Sequence, residues 1–152
     1  MEKLNGKIAL VTGASKGIGA GVALSLAKEG AAVAVNYASD RAGAERVVEK
    51  IRTAGGKAIA IQGSVTSSVE IGRFFDETEK QLGAVNVLVN NAGVFAYLPL
   101  QDVNEREFRR QFDTNVLGLL LTSKRAAQKF GEKGGSIINI GSHCCPGKLL
   151  QL

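Results

Sequence analysis

The stretch that decides the fold is Lys7-Ile8-Ala9-Leu10-Val11-Thr12-Gly13-Ala14-Ser15-Lys16-Gly17-Ile18-Gly19. Its first five residues are a short apolar run, the signature of a buried strand. The run passes directly into a glycine-rich turn. From Ile18 to Glu29 the apolar residues Val22, Leu24, Leu26 and Ala27 then recur with a helical period, and Gly30 follows as a C-cap. Glycines at such a strand-to-helix junction allow a tight turn, let the backbone approach a phosphate, and let helix and strand pack closely. The helix N-terminus adds unpaired N–H groups and a positive dipole end. A loop that merely turns on glycine is the competing reading, and the strand–turn–helix context favours phosphate binding. A nucleoside-triphosphatase P-loop is disfavoured, because Lys16 is followed by Gly17 and not by Ser or Thr.

Outward from this turn the same alternation repeats. Strands are expected at 32–35, 57–61, 85–89 and 136–140, and helices at 41–54 and 67–82, with a long one over 105–130. Ser67 is an N-cap candidate, and Val69, Ile71, Phe74 and Phe75 follow at helical spacing. On the long helix the apolar positions are Phe108, Phe112, Val116, Leu119 and Leu120. Short apolar strands alternating with amphipathic helices call for an α/β fold, a doubly wound parallel sheet covered on both faces. One domain over residues 1–142 accounts for these elements, leaving 143–152 as a separate tail.

Composition narrows the partners. The chain has 152 residues, 45% hydrophobic and 22% charged, the balance of a globular domain. The net charge of +5 comes from basic residues scattered among acidic ones, so nucleic acid is not the expected partner. No apolar run approaches a membrane span, and residues 1–6 lack the apolar core of a secretory signal. The only cysteines, Cys144 and Cys145, are adjacent and match neither a disulfide framework nor a zinc spacing. The expectation is a cytoplasmic protein without a metal site.

Four motifs lie in order along the chain: the T-G-x-x-x-G-x-G turn at 12–19, Asn90-Asn91-Ala92-Gly93 after strand four, Asn115 within Phe112-Asp113-Thr114-Asn115-Val116, and Ser142 after strand five. With them the sequence resembles the short-chain dehydrogenase/reductase family, particularly its 3-oxoacyl-[acyl-carrier-protein] reductase and glucose dehydrogenase types. The resemblance runs from Lys7 to about Ser142. It implies a Rossmann-like domain that binds a nicotinamide dinucleotide and transfers hydride to or from a carbonyl or secondary alcohol. Cofactor contacts would then fall at Gly13, Ser15, Lys16, Gly17, Ile18 and Gly19, at Asn36 and Ser39 after strand two, at Ser64 and Val65 after strand three, and at Asn91, Ala92 and Gly93. By the same resemblance, Ser142 orients the substrate oxygen and Asn115 supports the proton relay.

NADP is expected over NAD. An NAD site places an acidic residue after the second strand, for the ribose 2′-hydroxyl. Here strand two runs into Asn36-Tyr37-Ala38-Ser39, with no carboxylate before Asp40, while Lys16 and Arg41 can supply positive charge. Arg41 reads equally well as a solvated helix-start residue. The family often has Asp-Val where this chain has Ser64-Val65; a hydroxyl can still bond the adenine amine.

The family's Tyr-x-x-x-Lys motif is missing. Tyr37 is followed four residues on by Arg41, and Tyr97 by Gln101. The residues after Ser142 depart from the family, which suggests truncation, a frameshift or an altered splice and a chain with little or no turnover. Two alternatives stand beside this: a working enzyme completed by another chain, and a non-catalytic partner that pairs with full-length relatives in a homo- or hetero-oligomer. Phe95, Tyr97 and Leu98 either line a substrate pocket or simply pack. Ile137, Ile138 and Ile140 are expected to have one poorly covered face on an open sheet edge.

Overall fold

In the computed structural model, which describes residues 3–142, five parallel strands form one sheet. The elements run β1 (Ile8–Val11), α1 (Gly17–Lys28), β2 (Ala32–Tyr37), α2 (Arg41–Thr53), β3 (Ala58–Gln62), α3 (Ser68–Leu82), β4 (Val87–Asn90), α4 (Glu105–Phe112), α5 (Gly118–Phe130) and β5 (Ser136–Asn139). The strand order is β3-β2-β1-β4-β5, so β1 is central and the winding reverses between β1 and β4. Ala9 sits between Val33 and Val87, and Leu10 between Ala34 and Leu88. The doubly wound α/β arrangement expected from the sequence is present. The tail at 143–152, with His143, Cys144 and Cys145, lies outside the described residues.

Strand alternation divides the core into two layers. Ala9, Val11, Val33, Val35, Val87 and Val89 face α1 and α2, where they meet Ala23, Ala44, Val47, Val48 and Ile51. Leu10, Ala34, Ile59, Ile61 and Leu88 point the other way, onto Ile71, Phe74 and Phe75 of α3 and Ala126 and Phe130 of α5. Both layers are nearly continuous because a parallel sheet is buried on its two faces.

Three corrections concern the helices. The single helix expected over 105–130 is interrupted by a π-helical turn, Asp113–Leu117. That wider turn lets Asn115 pair with the main chain of Val94, both bonds 2.8 Å, while Gly118 presses on Val65 at a spacing no Cβ could occupy. The face of α5 turned to the sheet is not the large apolar one. It is Gly118, Thr122, Ala126 and Phe130, mostly small residues that let the helix lie close. Phe108, Phe112, Val116 and Leu120 are exposed instead. Val69, expected in the core, is also exposed at the start of α3; the buried face begins at Ile71.

The expected edge is present. Among the described residues β5 pairs with β4 alone, and Ile137, Ile138 and Ile140 are 38–45% exposed. No helix among the described residues is long and apolar enough to cross a membrane.

Candidate nucleotide-binding site

The carboxyl ends of β1, β4 and β5 lie side by side at the reversal of winding, the place where open α/β sheets bind ligands. Three of the four motifs open there. The glycine-rich turn follows β1, Asn91-Ala92-Gly93 follows β4, and Ser142 stands exposed just past β5.

Thr12 joins the first two. Its hydroxyl donates to the Val89 carbonyl (3.4 Å) and accepts from the N–H groups of Asn91 and Ala92, both at 3.0 Å. The Asn91 amide returns two bonds of 3.0 Å to the carbonyls of Thr12 and Gly13. Two glycines exist to permit this clamp. A Cβ on Gly13, whose φ is +60°, would stand 2.8 Å from Ala92 Cα, and one on Gly19 would collide with the Asn91 amide and lie 2.7 Å from the Gly13 carbonyl. Gly17 differs: its φ is +58° and the position of its missing Cβ faces open space. Residue type alone does not mark Thr12 as part of the site. Its place as the first residue of the T-G motif was the available signal.

Asn36 supports the turn from beneath. It is 1% exposed, its Oδ1 accepts from Gly13 N (3.3 Å), and its Nδ2 donates to the Ile61 and Gly63 carbonyls (3.3 and 3.0 Å). Its own carbonyl takes the Ala14 N–H at 2.8 Å. The side chain expected beside the ribose is therefore occupied with the backbone of the turn and of the segment after β3.

The starts of the helices differ in a telling way. Asp40 caps α2 by accepting from Gly43 N, Ser67 caps α3 through Glu70 N, and Asn104 caps α4 through Glu107 N. At α1 the N-cap is Lys16, which gives no side-chain cap. The first amides of α1 thus point toward the turn without a side-chain acceptor, and Lys16, Gly17 and Ile18 are exposed there. Ser15 is half-buried, and its carbonyl lies where a Cβ on Gly43 would come within 2.7 Å.

The polar groups after β2 and β3 are partly committed. Asp40, the first carboxylate after β2, is held as a cap 2.9 Å from Gly43 N. Ser39 is exposed. Arg41 pairs with Glu45 at 2.6 Å, and that hydrogen bond raises the guanidinium above its ordinary value. Lys16 forms no salt bridge among the described residues. Ser64 exchanges a 2.8 Å hydroxyl bond with Thr66, its N–H donates to Glu70, and Val65 is buried against Gly118.

Asn90 and Asn115 fix the far wall. Asn90 accepts from the Thr122 hydroxyl (2.6 Å) and donates to Ser123 and to Asn139 of β5, both at 2.9 Å. This buried network ties α5, β4 and β5 together just below the strand ends. Asn115, at the centre of the π turn, holds Val94 and so shapes the segment after Gly93. Phe95 and Tyr97 are exposed and Leu98 is partly so.

A doubly wound domain with a glycine-rich turn at its switch point, cross-braced to the turn after β4, is the class of protein that fold and site define. Comparison with known proteins narrows it. The family model for short chain dehydrogenases matches residues 7–149, and the chain belongs to that family. It is 55% identical over 142 residues to an uncharacterised oxidoreductase of Methylorubrum extorquens, covering 93% of this chain and 57% of that protein. It is 39% identical over 144 residues to versicolorin reductase 1 of Aspergillus parasiticus, covering 95% and 55%. Among solved structures, a dehydrogenase/reductase from Sinorhizobium meliloti superposes with a TM-score of 0.88 at 39% identity, over 91% of this chain and 55% of that one. The chain spans about half the length of the curated relatives it matches.

Proposed function

We propose that this chain is the nucleotide-binding half of an NADP-dependent oxidoreductase acting on a carbonyl or secondary alcohol, and that by itself it binds the dinucleotide with little or no turnover. The observation that carries the reading is the uncapped start of α1 beside an unpaired Lys16. Gly17 leaves space at that start, so the pyrophosphate can approach the amides of the turn. A bond from Gly43 N holds the Asp40 carboxylate at the start of α2, and the exposed Lys16 and Ser39 are the groups that would receive a 2′-phosphate. Asn36 contributes by holding Gly13 and Ala14 in place. Ser64 and Val65 flank the adenine, while Asn91, Ala92 and Gly93 line the nicotinamide–ribose side.

The bound nicotinamide supplies the hydride donor or acceptor. In this reading Ser142 orients the substrate oxygen, and Asn115, through its hold on Val94, fixes the wall along which protons pass. A proton donor of the Tyr-x-x-x-Lys kind is absent from these 152 residues. Tyrosine titrates near pH 10 unless a cation lowers it, and neither Tyr37 nor Tyr97 has a lysine four residues on. The test is fluorescence titration with NADPH and NADH. Saturable binding that favours NADPH about tenfold or more is expected, since a 2′-phosphate gains charge-assisted bonds that a hydroxyl lacks. Equal or better binding of NADH would overturn the preference.

A second reading is favoured by the outward apolar face of α4 and α5, where Phe108 and Phe112 stack with ring centroids 4.2 Å apart. In it the chain is a non-catalytic partner of full-length relatives. Co-purification with such a relative, abolished by Phe108→Ser with Phe112→Ser, distinguishes this reading from a chain that acts alone.

A further inference from the structure

The opposite end of the strands carries an unassigned cavity. Beneath the amino ends of β1 and β2, far from the glycine-rich turn along the strands, lies a space of about 750 Å³. That volume suits a small organic ligand. Its walls come from both sides of the sheet: Leu24 and Ala27 of α1 on one, Leu82 of α3 on the other. Four lysines line it, Lys7, Lys28, Lys50 and Lys57, and among the described residues no carboxylate does.

The charge arrangement needs an explanation. Lys28 and Lys50 stand in the last turns of α1 and α2, where a cation complements the helix dipole. That accounts for two. Lys7 and Lys57 precede β1 and β3, where no helix end calls for them. None of the four enters a salt bridge among the described residues. Like charges around one opening repel each other within a Debye length of about 10 Å, and an anion seated among them relieves that repulsion. The backbone amides nearby are already used: Gly30 N bonds Ala27 O, Gly55 N bonds Arg52 O, and Gly56 N bonds Ile51 O. Recognition of a charged head therefore falls to the ammonium groups, and the apolar walls are left for a hydrocarbon body.

We propose that this cavity binds a small amphiphilic anion, a carboxylate or phosphate head on an apolar chain, at a site separate from the nucleotide. The lysines hold the head at the rim and Leu24, Ala27 and Leu82 cover the chain. A bare inorganic anion would leave the apolar walls wet, and a neutral alcohol would leave the lysines unpaired, so both bind weakly.

The test is calorimetric titration of the full chain with decanoate, decanol and inorganic phosphate, alongside the Lys28→Gln/Lys50→Gln/Lys57→Gln variant. These side chains are exposed, so the variant is expected to fold, and circular dichroism checks it. Decanoate should bind saturably to the parent chain, weaken about tenfold or more in the variant, and weaken at high salt. Decanol and phosphate should each bind at least about tenfold more weakly than decanoate. NADPH titration should be the same in both proteins, which separates this site from the nucleotide reading. The proposal is overturned by a folded sample that binds no decanoate, by equal decanoate binding in the variant, or by phosphate binding as tightly as decanoate.

Discussion

Asn36 shows how far a single residue's setting can depart from its position in the sequence. It follows four apolar residues of a strand, where an acidic side chain would mark an NAD site, yet it is buried and bonded to three backbone groups. Asn36→Asp would turn a carboxylate oxygen toward the Ile61 and Gly63 carbonyls in place of two donors. We expect a loss of about 2 kcal/mol or more in denaturant unfolding, and no shift toward NADH. Lys16→Ala, by contrast, should weaken NADPH roughly threefold to tenfold in the fluorescence titration and leave NADH nearly unchanged, because an exposed cation contributes about 1 kcal/mol or so. Gly19→Ala should abolish binding of both, since its Cβ would displace Asn91 from the turn. The turn itself was legible in the sequence because glycines punctuate the backbone. The use of Thr12, Asn36 and Asn91 as braces was not, because residue type does not reveal whether a polar side chain meets ligand or backbone.

Among the elements, α5 departs most from its periodicity. Large apolar residues at helical spacing suggested a buried face, and the structure buries Gly118, Thr122, Ala126 and Phe130. Apolar spacing marks a face that needs covering; it does not say by what. Position against α3 is set partly by charge. Lys129 pairs with Asp76 (2.8 Å) and Glu79 (2.5 Å), and Arg125 also reaches Asp76 at 2.8 Å. The hydrogen bond from Lys129, with smaller help from Arg125, holds Asp76 below the usual carboxylate range. The Asp76 bond likewise raises Lys129. A depressed carboxylate contributes stability above about pH 4, lost as pH falls through its folded value. The Asp76 side chain is 58% exposed, so solvent screening limits that contribution to about 0.5 kcal/mol. Asp76→Asn should therefore lower stability by about 0.5 kcal/mol at neutrality in thermal unfolding, and the difference from the parent should vanish as pH falls below about 4.

For the molecule as a whole, the exposed apolar edge among the described residues is at β5. Among the described residues this strand pairs on one edge only, and the isoleucines there remain partly open to water. An exposed apolar edge strand recruits other strands. Light scattering of the chain should rise with concentration and fall in Ile138→Lys, while NADPH binding persists because the nucleotide turn is built on β1 and β4. Undiminished scattering in that variant would place the self-association elsewhere, with the outer face of α4 and α5 the next candidate. Fold class was legible from alternating strands and helices alone. The partial exposure of Ile137, Ile138 and Ile140 was legible only through the family resemblance, because apolar alternation marks a face that needs covering and does not show what covers it.

The central place of β1 also sets an order of assembly. Ile8 meets Ala32 after one short crossover, whereas Thr12 must find Asn91 across 79 residues of chain. Loop-closure entropy makes the longer search costlier by about 1 kcal/mol, so β1, β2 and β3 can zip together before β4 arrives. On the ribosome the first three strands emerge while the partner that clamps the glycine-rich turn is still unmade. The cradle is thus among the last parts of the sheet to mature. In refolding from denaturant, the capacity to quench NADPH fluorescence should lag behind the recovery of helical circular dichroism.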